Sequence, residues 1–375
     1  MQDIKVKPWY KMTELGVIPE DWEMIKLGDI CDILKWQLIT SDTCIKWNIP
    51  VIAWWKQPAY YHNKSNRKHN TITISASWAN AGYVNFHKNP IFASDCSTIE
   101  EGKNYSIYFI YNYLQLLQKT IYRSQTWWAQ PHIHPSDLKP INIHFPKSID
   151  EQELIAKVLS NSDELIKFLD KLIEKKEKIK EWTMQELLTW KRRLPWFDWK
   201  WKEKEIWELL DYEQPWNYIV KDTEYNNKYK MPVLTANKAF ILWYTYENFW
   251  IFENTPVIIF DDFTILNKYV DFPFKVKSSA MKILKLRDKS KNILKFIYER
   301  MQMIYFTMWD HKRYYLWEYQ FEKVLMPDYD EQKAISKVLS DMDNEIENLK
   351  MKRDKYKKLK EWMMQELLTW KIRLV

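Results

Sequence analysis

Residues 151–195 recur as residues 331–375 without a gap, at a constant offset of 180, with 25 of the 45 positions identical. No other feature limits the fold as strongly. A chain that carries one segment twice builds the same element twice, and the stretches between hang on a repeated frame. Within the first copy, Ile155, Val158, Ser162, Leu165, Leu169, Leu172, Lys176, Ile179 and Thr183 are spaced alternately three and four apart. The second copy places Ile335, Val338, Met342, Glu345, Leu349, Lys352, Tyr356, Leu359 and Met363 at the same spacing. Mostly apolar seams of this period between charged faces predict two long helices paired as a coiled coil. A helix of about 38 residues would span about 57 Å at a rise of 1.5 Å per residue and serve as a rigid spacer.

A fainter echo lies upstream of each copy. PEDWEMIKLGDICDI (19–33) aligns with DWKWKEKEIWELLDY (198–212) at an offset of 179, pairing Trp22 with Trp201 and Gly28 with Trp207. The remaining text is unlike between the halves. TITISAS (71–77), VNFHKNPIF (84–92), TPVIIFDDF (255–263) and KYVDFPFKV (268–276) predict strands, being β-branched and aromatic runs broken by polar turns. SIYFIYNYLQLLQKT (106–120) and KSKNILKFIYERMQM (289–303) predict amphipathic helices. The expected fold class is α+β: variable domains at 1–150 and 194–330, repeated helices at 151–193 and 331–375.

Composition enters at one point, the pairing of 22 tryptophans with 4 glycines. Ordinary glycine usage near 7% predicts about 26 in this length, which is what the two residue types reach together. Many of the tryptophans occupy glycine-like places. Trp190 and Trp370 each follow a long helical run and precede a lysine, where a helix end calls for a left-handed residue. Trp54-Trp55 and Trp127-Trp128 are doublets in loop-like text. Most of these tryptophans are read here as standing for glycine, as when a UGA codon decoded as glycine is rendered tryptophan. Trp22 and Trp201, matched across the repeat, are read as true tryptophans.

The remaining bulk properties exclude several classes. Hydrophobic residues at 46% and charged residues at 29% exclude wholesale disorder. No run approaches 18 apolar residues and the first eleven residues are polar and charged, so neither a membrane span nor a secretory signal is expected. Cys31, Cys44 and Cys96 form no CxxC pair and no even set, which suits a reducing cytoplasm.

Variable block, shared helix, variable block, shared helix: this plan resembles the specificity subunit of type I restriction-modification systems. TELGVIPEDWEMIKLGDI (13–30) looks like the opening of a target recognition domain, and QELLTWKRRLPWF (185–197) like that family's QxLLTGKRRLPGF linker with Trp for Gly. IPVIAWWKQPAYYHNKSN (49–66), SASWANAGYVNF (75–86) and WWAQPHIHPSDLKPINI (127–143) are similar to recurring recognition-domain phrases. VLTANKAFILWYT (233–245), VIIFDDFT (257–264) and FPFKVKSSAMKIL (272–284) are similar to those of a second such domain.

The resemblance implies a protein with no catalytic site and no cofactor of its own. It implies two target recognition domains separated by two long helices in an antiparallel coiled coil, each domain reading one half of a split sequence in double-stranded DNA. The helices would dock modification subunits, two of them, that methylate adenine with S-adenosylmethionine. Restriction subunits using ATP and Mg would join the assembly in the cytoplasm, away from any membrane. Docking falls on Val158, Leu165, Leu169, Leu172 and Leu187 of the first helix and Val338, Leu349, Leu359 and Leu367 of the second.

Charge adds modest support for DNA. The net charge of +7 divides into +3 for 1–150, +1 for 151–193, zero for 194–330 and +3 for 331–375, too little for phosphate attraction alone to supply affinity. For base edges the candidates are Gln57, Asn63, Asn80, Gln125 and Gln130 in the first domain, with Asn237 and Lys238 in the second. Asn and Gln suit adenine, and Lys suits guanine. Tyr60, Tyr61, Lys64 and Arg67 are candidates for holding phosphates. Lys56, His62 and Ser77 lie in the same phrases, as does His132 beside His134. Lys275, Lys277 and Ser278 close a strand, and Lys312, Arg313 and Tyr314 form a further basic-aromatic cluster.

Other readings fare worse. A stand-alone nuclease would need a metal-binding acid motif. In PDYDEQK (327–333) the acids are too close together, and Glu331 opens the second repeat. Asp261-Asp262 has no partner at suitable spacing and reads as turn acids. A methyltransferase would need an Asn/Asp-Pro-Pro-aromatic motif, and Asn89-Pro90-Ile91-Phe92 lacks the second proline. His132 and His134 have no further ligands at metal spacing, and no phosphate-binding GKS/T loop is present. A purely structural coiled-coil scaffold would explain the helices but not two differing domains.

Overall fold

Each long repeat begins just after a short β-strand that pairs back to the start of its own domain. The computed structural model describes residues 9–374 apart from 14–15, 124–125, 129, 223–224, 227, 236–239 and 307–313. Strand Trp22–Lys26 pairs antiparallel with Asn142–Pro146, and Lys202–Glu205 pairs antiparallel with Lys323–Met326. The repeats that follow are continuous helices, Ile149–Leu188 with 40 residues and Tyr329–Leu367 with 39. Each reaches about 60 Å at 1.5 Å per residue. Among the described residues no helix is long and apolar enough to cross a membrane.

The chain divides into two compact units, Met1–Lys171 with Lys350–Val375, and Leu172–Leu349. In the first unit the centre is strand Thr71–Ser75, every residue of it buried, flanked antiparallel by Val84–His87 and Cys96–Ile99. A second sheet sets Ile49–Ile52 between Tyr60–His62, antiparallel, and Phe92–Ala93, parallel. Helix Ile107–Leu116 buries Phe109, Ile110, Tyr113 and Leu114 against this core. Ile155, Ala156 and Leu159 of the first long helix and Met364, Leu367 and Leu368 of the second join the same cluster.

The second unit repeats that plan from different residues. Leu210–Glu213, Met281–Leu286, Val257–Asp261 and Asn267–Val270 form a four-stranded antiparallel sheet in that spatial order. A second sheet places Met231–Leu234 between Ile241–Thr245, antiparallel, and Lys275–Val276, parallel, the counterpart of the 49–93 sheet. Helix Leu294–Met301 packs its Leu294, Phe296 and Ile297 into a cluster with Leu187, Leu188, Ile335 and Leu339 of the long helices. The expected strands and helices are present, with three differences, the first being that the 106–120 run is two helices, Ile107–Leu116 and Gln118–Arg123. VNFHKNPIF and KYVDFPFKV are each two strands, interrupted where Asn89-Pro90 and Phe272-Pro273 fall, because proline lacks the donor a ladder needs.

The buried stripe of the long helices departs in the middle from the expected seam. Both copies bury the same positions at their starts, 151, 152, 155, 156 and 159 against 331, 332, 335, 336 and 339, and again at 187–188 and 367–368. Between these, Leu169, Ile173, Ile346 and Met364 are buried, whereas the expected Ile179, Glu345, Lys352 and Leu359 are exposed. A carboxylate and an ammonium are kept in water by their solvation, and the apolar residues beside them take the inner positions. Cross-helix ion pairs line this stretch: Asp163–Lys360 at 2.6 Å and Asp170–Arg353 at 3.4 Å in the first unit, and Lys176–Glu345 at 2.7 Å and Lys180–Asp343 at 2.5 Å in the second.

Backbone geometry sorts the tryptophans. Among the described residues, nine non-glycine residues have left-handed φ, and six of them are Trp9, Trp78, Trp190, Trp196, Trp250 and Trp370. An indole-bearing residue gains nothing from that conformation, and glycine adopts it without steric penalty. Trp190 and Trp370 (φ 59° and 56°) close the two long helices, and the chain beyond each turns back so that Arg192 N–H reaches the Glu186 carbonyl and Ile372 N–H that of Glu366. Trp22 and Trp201 behave oppositely: both are buried and donate their indole N–H to Glu151 and Glu331, at 3.2 and 3.0 Å. The Trp54-Trp55 doublet is not left-handed, and its rings lie 4.2 Å apart.

Candidate nucleic-acid interface

Strand Tyr60–His62 lies at the edge of its sheet, paired on one side only, with Ile49–Ile52. Side chains alternate along it, and both Tyr60 and Tyr61 are exposed, whereas His62, on the same face as Tyr60, is buried. Lys56, Gln57, Asn63 and Lys64 flank it and are exposed too. Lys56 Nζ stands 5.3 Å from the Tyr83 ring, which keeps the cation at the domain surface. This is one contiguous run of cations, phenols and amides. Such a set can hold phosphates and reach base edges, and it contains no nucleophile–base pair.

Other candidates of the first domain serve the domain itself. His62 is buried, accepting the Ile45 N–H at Nδ1 (3.1 Å) with its ring edge-on to Phe92. Arg67 is spent on three internal bonds, to Thr98 Oγ1, the Asn66 carbonyl and the Lys35 carbonyl, all at 2.6–2.7 Å. Ser77 is buried and donates to the Asp95 carboxylate. Burial pushes the Asp95 carboxyl above its usual range, opposed by that hydroxyl and by the nearby His132 and His134. Those two histidine rings are stacked at 6.1 Å, and His132 is half-buried. Asn80 donates to the Trp54 carbonyl at 3.0 Å, tying the 54–55 loop to the 78–80 turn. His62 and Ser77, expected among the DNA-facing residues, and Arg67, expected to hold phosphate, thus have polar atoms engaged inside the fold.

The second domain requires two clear corrections. Lys275 is fully buried, paired with Glu247 at 2.9 Å and donating to the Phe249 carbonyl, also at 2.9 Å. Glu247 in turn accepts the N–H groups of Lys221 and Asp222, so the pair fastens two loops together. Tyr314 is also fully buried. Neither side chain can reach DNA. Lys277 is half-buried and donates to Tyr225 Oη at 2.9 Å, and the half-buried Ser278 accepts the Ala280 N–H. Gln130 falls on strand Gln130–His132. Gln125, Asn237, Lys238, Lys312 and Arg313 lie outside the described residues.

The acids weighed as metal ligands have structural duties. Asp262 pairs with the buried Lys282 at 3.2 Å and accepts the Tyr315 N–H, while Asp261 accepts the Phe263 N–H. Asp328 caps the second long helix through the Glu331 N–H. Among the described residues no group of three His, Cys, Asp or Glu side chains could hold a metal ion. A feature that residue-type reasoning passed over is a cleft of about 360 Å³ lined by Lys200, Lys202, Lys204 and Lys291 near the start of that helix. Its signal was the period-two run of lysines at 200–204, which puts them on one face of an extended chain.

Residues 19–179 match the type I restriction modification DNA specificity domain. A 124-residue stretch, 32% of this chain, is 47% identical to the EcoR124I/EcoR124II type I restriction enzyme specificity subunit of Escherichia coli, and the match spans 31% of that protein's length. The MjaVIII type I restriction enzyme specificity subunit of Methanocaldococcus jannaschii aligns over the whole of this chain and 98% of its own length, at 26% identity. Among solved structures, the S subunit of a type I restriction-modification system from M. genitalium superposes with a TM-score of 0.70 at 18% identity, covering 92% of this chain and 96% of that one.

Proposed function

We propose that this chain is a specificity subunit of a type I restriction-modification system, as the match of residues 19–179 and the full-length alignment to such a subunit support, and that its two domains each read one half of a split DNA target. It directs DNA specificity and carries no catalytic site. Methylation and cleavage reside in partner subunits.

One observation carries the two-half reading. Each domain is mounted on the helices by the same fastening, from arginines and glutamates 180 positions apart and tryptophans 179 apart. Arg193 and Trp201 meet Glu331 in the second unit, and Arg373 and Trp22 meet Glu151 in the first. Two unlike domains held alike suit two unlike half-sites presented alike. The domain limits are 1–150 and 194–330, with helices 151–193 and 331–375 between and after them. The two helices form an antiparallel coiled coil, a reading supported by ion pairs in which partner numbers fall as positions on the first helix rise. Two modification subunits dock along it, using Val158, Leu165, Leu169, Leu172 and Leu187 and their counterparts Val338, Leu349, Leu359 and Leu367, and restriction subunits complete the assembly in the cytoplasm.

In the first domain, Lys56, Tyr60, Tyr61 and Lys64 hold phosphates and Gln57 and Asn63 reach base edges. Lys277 and Ser278 belong to the second domain's interface, as do Asn237, Lys238, Lys312 and Arg313. A spacer of about 60 Å equals about one and three-quarter helical turns at about 34 Å per turn, and half-sites about one to one and a half turns apart fit within that length.

The test is a single-molecule methylome of the host's DNA. The expected result is a split motif with adenine methylated in both halves, of which exchange of either domain alters one half alone. A well-expressed chain with an intact methylation partner and no split motif would overturn the assignment.

A further inference from the structure

The two recognition domains meet the long helices at a second pair of matched points, and these rest on aspartate. Asp163 and Asp343 are equivalent positions of the repeat, as are Lys180 and Lys360. In the first unit Asp163 Oδ1 accepts the Lys360 ammonium at 2.6 Å, and Oδ2 accepts the Tyr108 hydroxyl at 2.6 Å. In the second unit Asp343 Oδ1 accepts Lys180 at 2.5 Å, and Oδ2 accepts Lys295 at 3.2 Å. One oxygen therefore ties helix to helix, and the other ties the helices to a domain.

The domain-side donors come from non-repeated sequence. Tyr108 sits on Ile107–Leu116 and Lys295 on Leu294–Met301, a phenol in one case and an ammonium in the other. Each is held by aromatic neighbours: Phe86 and Tyr111 lie 5.1 and 5.4 Å from the Tyr108 ring, and Tyr269 and Tyr298 lie 5.3 and 5.1 Å from Lys295 Nζ. Lys295 is anchored again by the buried Glu299 at 2.8 Å. Unlike domains thus converge on one repeated carboxylate through whatever donor they possess.

We propose that Asp163 and Asp343 are positioning residues that set the angle of each recognition domain on its helices, and thereby the strictness with which the complex measures the gap between half-sites. This rests on the split-target reading above. With the first-turn fastening at Glu151 or Glu331, each aspartate gives its domain a second attachment along the helix. Added to the apolar contacts that each domain makes with the helices, this polar attachment restricts the remaining tilt of the domain about them. A charge-assisted hydrogen bond released from such a joint corresponds to roughly tenfold in an equilibrium.

The experiment uses the full chain assembled with its methylation subunits. Binding is measured to duplexes carrying the methylated motif at its native gap and at gaps one base pair shorter and longer. Tyr108→Phe keeps the ring and removes the hydroxyl, and Lys295→Met removes the ammonium. The expected result is that preference for the native gap over the altered gaps falls by about tenfold in each variant, with the bases required in each half unchanged. Asp163→Asn, which leaves an acceptor for Tyr108 and removes the charge facing Lys360, should show a smaller fall. Equal loss of affinity at all three gaps would mark a merely structural role and overturn the proposal, as would an unchanged preference. An unmodified complex with no gap preference would sink the split-target reading itself, and this inference with it.

Discussion

The guanidinium of Arg373 donates to both carboxylate oxygens of Glu151, at 3.0 and 2.8 Å, across 222 positions of the chain. Glu151 is buried, so its charge depends on this partner and on the Trp22 indole. Removing one side of a buried pair leaves an uncompensated charge, a loss of about 3–5 kcal/mol for a fully buried case. Arg373 is itself partly solvated, which reduces that figure. Arg373→Met should therefore destabilise the chain by about 2–3 kcal/mol, and adding Glu151→Gln should restore part of the loss. Urea titration of the single and double variants checks this; purely additive losses would show that the two side chains are not coupled.

Lys275 and the exposed lysines of the first domain separate two ways of losing DNA binding. Lys275→Met strands the buried Glu247 and should cost about 3–5 kcal/mol of stability. Lys56→Ala and Lys64→Ala should leave stability nearly unchanged, weaken binding across all sequences, and each reduce the slope of affinity against salt by about one ion. Thermal melts beside salt-dependent binding curves distinguish the two; a stable Lys275→Met chain with weakened binding would restore that lysine to the interface.

What the sequence made legible, and what it hid, follows from how local each cause is. The long helices, the strand at 71–75 and the helix at 107–116 announce themselves by spacing, because a helix or strand buries a face whose period is set by its own backbone. Arg67, His62 and Ser77 are polar residues in or beside recognition-like phrases, and residue type carries no record of a partner 31, 17 or 18 positions away. Lys275 misleads for a related reason: lysine is almost never fully buried without a paired charge, and Glu247 becomes its neighbour only once the sheet has formed. The fastening of Arg193 to Glu331 and of Arg373 to Glu151 was equally invisible, although each residue lay inside a segment already recognised as repeated.

Stability should fall in mild acid because of His87. Its half-buried ring meets the Thr73 hydroxyl at 3.0 Å, and desolvation lowers its pKa from 6.5 to about 4. The folded state therefore refuses a proton that the unfolded chain accepts. Its contribution is complete above pH 6.5 and is lost progressively as the pH drops toward 4, by about 3 kcal/mol at most. His144, lowered by burial as well, acts in the same direction. Chemical denaturation of His87→Gln between pH 7 and 4 should show a flatter dependence than the parent; parallel curves would refute the assignment.

The left-handed tryptophans predict a stabilising substitution. Trp196 is 98% exposed at φ 78°, and Trp190 is more than half exposed at φ 59°, so neither indole contributes much packing to offset its backbone conformation. Replacing either with glycine should raise stability by about 1 kcal/mol. The same change at Trp22 or Trp201 should unfold its domain, since each fills a core and bonds a buried carboxylate. Peptide mass spectrometry of the protein from its own host offers an independent check: glycine at 190 and 196 with tryptophan at 22 and 201 is expected, and tryptophan at all four would refute the reading.

Helix length should set the gap between half-sites, and the structure shows where to cut. Deleting one heptad from each helix, 169–175 and 349–355, removes the Asp170–Arg353 pair but spares Asp163–Lys360, Lys180–Asp343 and both arginine fastenings. Each domain keeps its own attachments, while each helix shortens by seven residues, about 10 Å, or about three base pairs at 34 Å per turn. The methylated motif should keep its bases and lose about that much gap. Both cuts must be made together, because a single deletion throws the apolar stripe of one helix out of step with the other. An unchanged gap from a folded double deletion would show that something other than the helices measures the distance.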